Sequence, residues 1–461
     1  MINIIPTPKN AELGAMLVLP ATVVPCKEGE IFAEYAKGLG VDFKQTENGA
    51  VRTVLCDKRG YTLEADEQGV TIKGDREGIN QGFATLLQLL EPAEGGFSVQ
   101  RAKIEDEAQH EYRGLLVDLA RSFHELDIVL SYVDMCYYYK IKYLHLHFTD
   151  DQGYTLPSRL FPKLSTPERC YSAEQIDLLV RYATERSVRI VPEIDLPGHC
   201  ASFCRAYPEI FGDHGVICLT EQSVEAIKSL YCELCDMFPQ SEHIHIGGDE
   251  ASITKWLECD RCLSYAEKRG IDTGKQGAEH VILADFISQT ASVIRDKGRK
   301  PIVWEGFIKD TNHMVRDVTV MSWENYYQTT PELLEAGYDI INCSWEPNYI
   351  VTPTKYWPAK EVLEWDPYSF KAAYPGSVFY QRLYKAERTA RIKGGQLCAW
   401  GDVIVQTYPV ERDGVLAERE LVSERLPCVA QRTWSGADIA WSEFEESHKK
   451  QTERLVRLLR P

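Results

Sequence analysis

Two adjacent carboxylates, Asp249 and Glu250, follow a short apolar stretch and two glycines in the segment His243-Ile-His-Ile-Gly-Gly-Asp-Glu250. Neighbouring side chains of a regular strand point to opposite faces, so these carboxylates could not share one target within a strand. Gly247 and Gly248 remove this restriction, because glycine adopts backbone angles that redirect the chain at a strand end. Two convergent carboxylates suit general acid–base catalysis on a sugar or an ester. An isolated Asp-Glu pair is also typical of a helix start, so the interpretation depends on the rest of the chain.

Other polar and aromatic side chains follow apolar stretches in the same part of the chain. They are Asp118, Arg121, His145, His147, Asp150, Asp151, Glu193, Asp195, His199, Trp304, Glu305, Trp323, Glu324, Trp345, Asn348, Tyr349, Trp400 and Asp402. Four successive stretches therefore end in tryptophan. A single tryptophan is more often a core residue, but four around a carboxylate pair indicate walls for a sugar ring, which needs flat apolar faces with polar edges.

The elements that must position these residues alternate between apolar strands and helix-period segments. The predicted strands are 114–120, 142–149, 188–195, 243–246, 301–307, 318–323, 338–345 and 395–400. Segments such as 126–139, 173–186 and 276–296 carry helix-period patterns between them. Eight strands with helical crossovers predict an α/β fold of the (β/α)8 TIM-barrel type, whose chemistry lies at the carboxyl ends of the strands. A doubly wound sheet is the rival, but no glycine-rich phosphate turn follows any strand.

A smaller unit precedes this barrel. Short β-rich segments (15–24, 52–55 and 69–73), a helix at 79–90 and a closing strand at 97–101 predict an α+β domain. We therefore divide the chain into an N-terminal α+β domain at 1–105 and a catalytic barrel at 106–461.

Composition narrows the possible partners and the compartment. A formal net charge of -18 argues against nucleic acid and anionic membranes as partners. The first residues lack a basic segment followed by an apolar core, and fourteen cysteines then suggest reduced thiols and a cytoplasmic location. The pairs Cys232/Cys235 and Cys259/Cys262 have zinc-like spacing, but we expect buried or idle thiols there. We expect no metal ion and no cofactor.

Five motifs carry a family resemblance, at one motif per predicted strand. They are Tyr112-Arg-Gly-Leu-Leu-Val-Asp-Leu-Ala-Arg121, Leu144-His-Leu-His-Phe-Thr-Asp-Asp-Gln152, Pro192-Glu-Ile-Asp-Leu-Pro-Gly-His199, His245-Ile-Gly-Gly-Asp-Glu250 and Gly395-Gln-Leu-Cys-Ala-Trp400. This series resembles the motifs of the family 20 glycoside hydrolases, the β-N-acetylhexosaminidases. The N-terminal unit, from Ile5-Pro6 onward, is similar to the α/β domain that precedes the barrel in that family.

The resemblance implies an exo-acting, retaining hydrolase of glycans with a terminal β-linked N-acetylhexosamine. The substrate's own acetamido oxygen would be the nucleophile and would form an oxazolinium intermediate, which is an exception to the two-carboxylate scheme. Glu250 would be the general acid and then the base, and Asp249 would orient the acetamido N–H. The resemblance also implies that Tyr349 would contact the acetamido oxygen and that Trp304, Trp323 and Trp400 would form the pocket walls. Arg113 would contact the 3- and 4-hydroxyls, and Asp402 would contact the 4- and 6-hydroxyls. Asp150 and His199 would form a polar relay, supported by His147 and Asp195.

Two further expectations concern tuning of this site. A general acid must stay protonated near the working pH, so we expect the pKa of Glu250 to be raised by Asp249 and by exclusion of water. The family usually carries an acid or amide two residues after the tyrosine and often Glu at the last strand, whereas this chain has Val351 and Asp402. These departures predict weak discrimination between the gluco and galacto configurations.

Two other functions are compatible with parts of the sequence. The His145-Leu-His147 and His243-Ile-His245 pairs could indicate a metal-dependent amidohydrolase on the same barrel, although no lysine stands at a matching strand end. A sugar-binding protein without turnover is the other alternative, but a pure binder gains nothing from holding two carboxylates together. Asp118 is expected to be a barrel ion-pair partner, and His145 and His243 are expected to be core histidines.

Overall fold

The computed structural model describes residues 3–308, 313–436 and 438–459. The predicted domain limits of 1 and 461 lie outside the described residues. The first β-sheet ends at Asp106, one residue beyond the predicted division between 105 and 106, and the first barrel strand begins at Tyr112.

The N-terminal unit is one mixed β-sheet with two helices. Its elements are β1 (Asn10–Leu19), β2 (Thr22–Val23), α1 (Lys27–Gly38), β3 (Lys44–Gln45), β4 (Val51–Leu55), β5 (Tyr61–Asp66), β6 (Gly69–Gly74), α2 (Arg76–Leu89), β7 (Glu91–Ala93) and β8 (Gly96–Asp106). The sheet order is β1-β8-β5-β6-β4-β2-β3, with β7 paired to β8. The predicted strand 15–24 is in fact two strands, and β5 and α1 had no predicted counterpart. Buried residues of both helices join the sheet in the core of this unit.

The second unit contains the remaining strands and helices. Its strands are β9 (Tyr112–Asp118), β10 (Tyr143–His147), β11 (Arg189–Glu193), β12 (His243–His245), β13 (Lys300–Trp304), β14 (Thr319–Ser322), β15 (Asp339–Asn342), β16 (Tyr349–Val351), β17 (Ser369–Lys371), β18 (Leu383–Lys385) and β19 (Ile392–Trp400). Its helices are α3 (Leu126–Tyr138), α4 (Ala173–Glu185), α5 (Ala201–Ala206), α6 (Pro208–Phe211), α7 (Glu221–Met237), α8 (Asp260–Lys268), α9 (Ala278–Asp296), α10 (Thr330–Glu335), α11 (Trp345–Asn348), α12 (Ala359–Glu364), α13 (Ile404–Thr407), α14 (Glu411–Trp434) and α15 (Trp441–Leu458), with a 3-10 turn at Ile253–Glu258.

Strands β9 to β15 and β19 form a closed parallel barrel, which confirms the predicted TIM-barrel fold. Consecutive strands pair from β9 to β15, and β19 closes the ring by pairing with both β15 and β9. All seven residues of β9 and all five of β10 are buried, as expected for strands that are covered by helices outside and by packed side chains inside. The predicted strands match all eight barrel strands, with ends that differ by a few residues.

Local capping fixes where the barrel helices begin. Ser172 and Gln175 form a reciprocal capping box at the start of α4, and Thr220 with Ser223 forms another at α7. The last helix, α15, joins the two units. The Gln451 side chain donates to the Asn3 carbonyl at 2.6 Å. Among the described residues, no helix combines the length and apolar character that a membrane span requires.

Candidate active site

The carboxylate pair lies at the carboxyl end of β12, where two glycines turn the chain as predicted. Gly247 and Gly248 have φ angles of 82° and 105°, which side chains other than glycine rarely adopt. A Cβ atom on Gly247 would lie 1.7 Å from Asp195 Oδ1, so the tight turn requires glycine. Glu250 follows in the left-handed region, with φ 48°. Such strain in a non-glycine residue persists where the surroundings hold it, often at functional sites.

Asp249 presents a carboxylate oxygen that the protein itself does not use. Its Oδ1 atom is buried and has no hydrogen-bond partner among the described residues. Burial, together with the charge of Glu250, raises the pKa of Asp249 to about 6. A buried acceptor without a partner is costly, so this oxygen is suited to accept an N–H or O–H from a bound molecule.

Glu250 ends a row of alternating carboxylates and imidazoles. Its Oε2 atom is 3.4 Å from His199 Nε2, and His199 Nδ1 is 3.3 Å from Asp150 Oδ2. Burial disfavours a charged His199, but Asp195 and the hydrogen bonds to Asp150 and Glu250 outweigh it and raise the pKa of His199 well above its ordinary value. The imidazole is therefore a cation at neutral pH.

The pKa of Glu250 is lowered, which contradicts the prediction that it would be raised. The hydrogen bond from His199 is the main cause, and it outweighs the effect of burial. The side chain is also 58% exposed, so the tryptophans do not exclude water from it. In this structure the proton expected on the general acid therefore resides on His199, next to the carboxylate that would use it.

The row continues into the barrel and rests on Glu193. His147 lies between Asp150 and Glu193, with its Nε2 atom 3.0 Å from Asp150 Oδ2 and its Nδ1 atom 2.6 Å from Glu193 Oε2. Glu193 Oε1 accepts the Trp304 indole N–H at 2.7 Å and lies 2.8 Å from His245 Nδ1. Burial opposes ionisation of Glu193, but the surrounding histidines hold its pKa well below its ordinary value. The buried core thus anchors the polar row.

The geometry does not favour the amidohydrolase alternative. His145, Glu193 and His245 are close enough to share a metal ion, but both Glu193 oxygens already contact histidine or indole nitrogen atoms. His243 stands at the opposite end of the barrel, where it packs edge-on against Tyr143. Burial lowers the pKa of both His145 and His243 to about 4, as expected for core histidines.

Arg121, and not Arg113, places a cation at the mouth of the barrel. Its guanidinium lies 3.0 Å from Asp118 Oδ2 and 2.8 Å from Asp150 Oδ2. Its Nε atom is 3.9 Å from Asp402 Oδ1, and its Cζ atom lies over the Trp400 ring at 5.2 Å. Burial disfavours the charged guanidinium, but Asp118 and Asp150 raise its pKa above the ordinary value. Asp118 is the ion-pair partner that the sequence predicted.

The prediction that Arg113 contacts substrate is wrong. Arg113 is the second residue of β9 and lies at the amino-terminal end of the barrel, roughly 16 Å along the strand from Asp118 at a rise of about 3.3 Å per residue. Its side chain is buried, donates to the carbonyl oxygens of His110 and Lys140, and pairs with Glu77 of the N-terminal unit. Chemistry in this fold lies at the carboxyl ends of the strands, so strand direction favours Arg121, which follows the end of β9.

Aromatic side chains surround the space next to the carboxylates. Trp323 and Tyr349 are parallel, with ring centroids 6.3 Å apart, and Tyr349 is 6.0 Å from Trp400. Trp304 contacts Trp400 from below at 6.0 Å but is only 1% exposed, so it forms the floor of this space. The resemblance implied Trp304, Trp323 and Trp400 as pocket walls and Tyr349 as a contact of the acetamido oxygen, and the structure brings these four side chains together.

Glu324 is an acidic neighbour to which the sequence assigned no role. Burial and the nearby charges of Glu305, Glu250 and Asp249 raise its pKa to about 8. Glu305 is itself fully buried, and burial raises its pKa to about 7 although backbone N–H groups of Tyr327 and Gln328 bind it. The only signal for Glu324 in the sequence was its place directly after a strand.

The two departures from the family pattern, Val351 and Asp402, lie on β16 and just after the end of β19, the strand with which β16 pairs. Val351 pairs with Trp400 in the β16–β19 register, and its backbone N–H donates to the Lys355 carbonyl at 2.7 Å. The Asp402 side chain is 44% exposed, and burial of its carboxyl group raises its pKa.

Comparisons with known protein families cover nearly the whole chain. Residues 110–437 match the model of the glycosyl hydrolase family 20 catalytic domain, and residues 1–107 match that of glycosyl hydrolase family 20, domain 2. A β-hexosaminidase of Porphyromonas gingivalis is 28% identical over 420 residues, which cover 82% of this chain and 50% of the relative. The chain therefore spans about half the length of that relative.

Solved structures share the complete fold. A β-N-acetylhexosaminidase from Bacteroides fragilis has a TM-score of 0.82 at 22% identity, with 99% of this chain and 96% of that chain covered. An exo β-N-acetylglucosaminidase from Vibrio harveyi, in complex with N-acetylglucosamine, has a TM-score of 0.80 at 21% identity, with 99% and 77% covered. At this level of identity the likeness establishes the shared architecture.

Proposed function

This chain belongs to glycosyl hydrolase family 20, and we propose that it is an exo-acting β-N-acetylhexosaminidase. It would remove a terminal β-linked N-acetylglucosamine or N-acetylgalactosamine with retention of configuration. The substrate's acetamido oxygen would bond to the anomeric carbon as the glycosidic C–O bond breaks, giving an oxazolinium ion that water then opens.

The unpaired Oδ1 atom of Asp249 carries this proposal. An acetamido N–H is the donor that such an oxygen lacks, and the contact would orient the acetamido oxygen toward the anomeric carbon. Ionised Asp249 would also stabilise the positive charge that develops on the ring. Trp323, Tyr349 and Trp400, whose neighbouring ring centroids are 6.3 and 6.0 Å apart, would enclose the acetyl group.

The proton for the leaving group is held by two residues. His199 is cationic, and its Nε2 atom is 3.4 Å from the acceptor Glu250 Oε2. A sugar that covers Glu250 excludes water from the carboxylate and raises its pKa, so the proton passes from His199 through Glu250 to the glycosidic oxygen. Glu250 then accepts a proton from the water that attacks the oxazolinium ion.

The outer hydroxyls of the sugar would be bound by Arg121 and Asp402. Arg121 presents N–H donors that are fixed by Asp118 and Asp150, and Asp402 presents a partly exposed carboxylate next to them. This pair replaces the role first assigned to Arg113.

The direct test is release of the chromophore from an aryl N-acetyl-β-glucosaminide. Wild-type protein should turn it over, whereas Asp249→Asn should lose most activity without loss of folded structure. Binding of N-acetylglucosamine without turnover would instead indicate a sugar-binding protein. Early proton NMR spectra of the product test the mechanism, because retention requires the β-anomer first and an initial α-anomer would refute it.

The natural substrate and compartment are part of the same proposal. A glycan or glycoconjugate with a terminal N-acetylhexosamine is the partner that the site suits. All fourteen cysteines are free, which supports a reducing, cytoplasmic location. Fractionation of the source cells with an activity assay tests the location.

A further inference from the structure

Three cysteines from two separate segments meet next to the candidate active site. Cys218 lies between α6 and α7, in the connection from β11 to β12 that also carries His199. Cys259 and Cys262 stand at the start of α8, after the segment that follows Glu250. The Cys218 sulfur is 3.7 Å from that of Cys259 and 3.6 Å from that of Cys262. All three sulfur atoms lie within 4.8 Å of one another.

These separations fit a shared metal ion. Zinc binds thiolates at about 2.3 Å, and a tetrahedron with that bond length places its sulfur atoms about 3.8 Å apart. A disulfide would require about 2.05 Å. We propose that Cys218, Cys259 and Cys262 bind one zinc ion, with water as the fourth ligand, and that this ion ties the loop carrying His199 to the segment after Glu250.

The surroundings favour thiolates, the form that zinc binds. Cys259 occupies the N-cap position of α8, and its side chain makes no capping hydrogen bond. The hydrogen bond from Cys262 is the main cause that lowers the pKa of Cys218 to about 6, and Arg261 and His214 act in the same direction. The same bond raises the pKa of Cys262. Zinc binding would displace the protons that remain on the thiols.

Burial also suits a structural site. Cys218 and Cys262 are 2% and 1% exposed, while Cys259 is partly exposed. Solvent therefore reaches the cluster from the Cys259 side, which is where a water ligand would enter. The cluster lies outside the row that holds Glu250, so this inference does not rest on the proposed function.

The position of the cluster explains what a metal would stabilise. The Ile217 N–H donates to the Pro197 carbonyl at 3.1 Å, and the Trp256 indole N–H donates to the Ile217 carbonyl at 2.8 Å. The loop before Cys218 therefore already contacts the segment before Cys259. A zinc ion would add a bond between them and hold His199 and Glu250 at their present separation.

The second Cys-x-x-Cys pair provides a matched control. Cys232 and Cys235 lie on α7, where Cys235 packs in the hydrophobic core. Among the described residues, neither belongs to a group of three potential metal ligands. Cys232→Ser therefore removes a thiol from the same sequence motif without touching the proposed site.

The test measures metal in the full chain, purified under reducing conditions without chelator. Elemental analysis should find about one zinc per chain in wild type and in Cys232→Ser, and less than about a tenth as much in Cys218→Ser and Cys259→Ser. Cobalt added to the zinc-free protein should give thiolate-to-cobalt charge-transfer bands in wild type and lose them in Cys259→Ser. Cys259 is the least buried of the three, so this variant should stay folded, which circular dichroism checks.

Three results would overturn the proposal. The first is wild-type protein with no more zinc than Cys218→Ser and no cobalt–thiolate bands. The second is full zinc content in folded Cys259→Ser. The third is mass spectrometry that places Cys218 in a disulfide in the reduced preparation. Each readout is independent of turnover, so an inactive protein that binds zinc would refute only the proposed function.

Discussion

Replacing His199 by asparagine should make kcat/KM fall more steeply as the pH rises, because in wild type His199 holds the proton that Glu250 would deliver. In wild type, His199 and Glu250 together hold one proton at neutral pH, because the pKa of His199 is raised and that of Glu250 is lowered. The pKa of Asp249 is raised to about 6, and Asp249 must be ionised to act on the acetamido group. Activity should therefore fall on the acid side as Asp249 is protonated.

The magnitude follows from counting protons. At pH values between the pKa of Asp249 and that of His199, wild type mostly has an ionised Asp249 and one proton shared by His199 and Glu250. This is the number of protons that the reaction needs. The kcat/KM of wild type should therefore change less than about threefold between about pH 6.5 and pH 7.5. Without His199, most molecules have both Glu250 and Asp249 ionised. The reaction then needs one additional proton, because Glu250 must be protonated while Asp249 stays ionised. The kcat/KM of His199→Asn should then fall about tenfold over the same interval.

The assay is kcat/KM against pH on an N-acetyl-β-glucosaminide with a poor leaving group, for which protonation matters most. Asparagine is the chosen replacement because His199 has φ 44°, and asparagine tolerates this left-handed conformation better than most residues. His313→Asn, at an exposed histidine, is the matched control and should follow wild type. Parallel profiles for His199→Asn and wild type would refute the shared-proton reasoning.

The remaining predictions concern the carboxylates, the hydroxyl side and the turn. Glu250→Gln should lose about a hundred- to ten-thousand-fold in kcat/KM on substrates with poor leaving groups and much less on activated aryl glycosides. Asp249→Asn should lower kcat/KM strongly on both kinds of substrate. Equal losses for the two variants on both substrates would show that the roles are misassigned. The wild type should accept N-acetylhexosaminides of both the gluco and the galacto configuration, with kcat/KM values within about tenfold, or about 1.4 kcal/mol, of each other. A far larger preference that is unchanged in Val351→Asp would show that residues other than Val351 discriminate between the two configurations. Gly247→Ala should destabilise the fold by at least about 2 kcal/mol in denaturant unfolding, because its Cβ would overlap Asp195 Oδ1, and an unchanged midpoint would contradict that geometry.

Regular local patterns made the barrel and its carboxylate pair predictable from sequence. Buried parallel strands are almost wholly apolar and alternate with helices, so periodicity alone located all eight strands. The turn at Gly247 and Gly248 was also predictable, because few residues other than glycine tolerate positive φ. In the N-terminal unit, β5 and α1 were not found from the sequence.

Other features depended on distances between segments that are far apart in sequence. The direction of the pKa shift of Glu250 is set by His199, which is brought within 3.4 Å only when β11 and β12 pair in the barrel. The cysteine cluster likewise needed the fold, because Cys218 is 41 residues from Cys259 and shares no motif with it.

The contrast between Arg113 and Arg121 gives the physical reason. Both arginines belong to one short motif, so residue type could not distinguish them. Their separation along a rigid strand places one at each end of the barrel, and only the carboxyl end faces the carboxylates. The sequence by itself determined which elements form and which kinds of chemistry they carry, because those follow from local patterns of residue type. Which charges meet, and therefore which proton moves, was decided by tertiary structure, because electrostatic interactions depend on distance and burial.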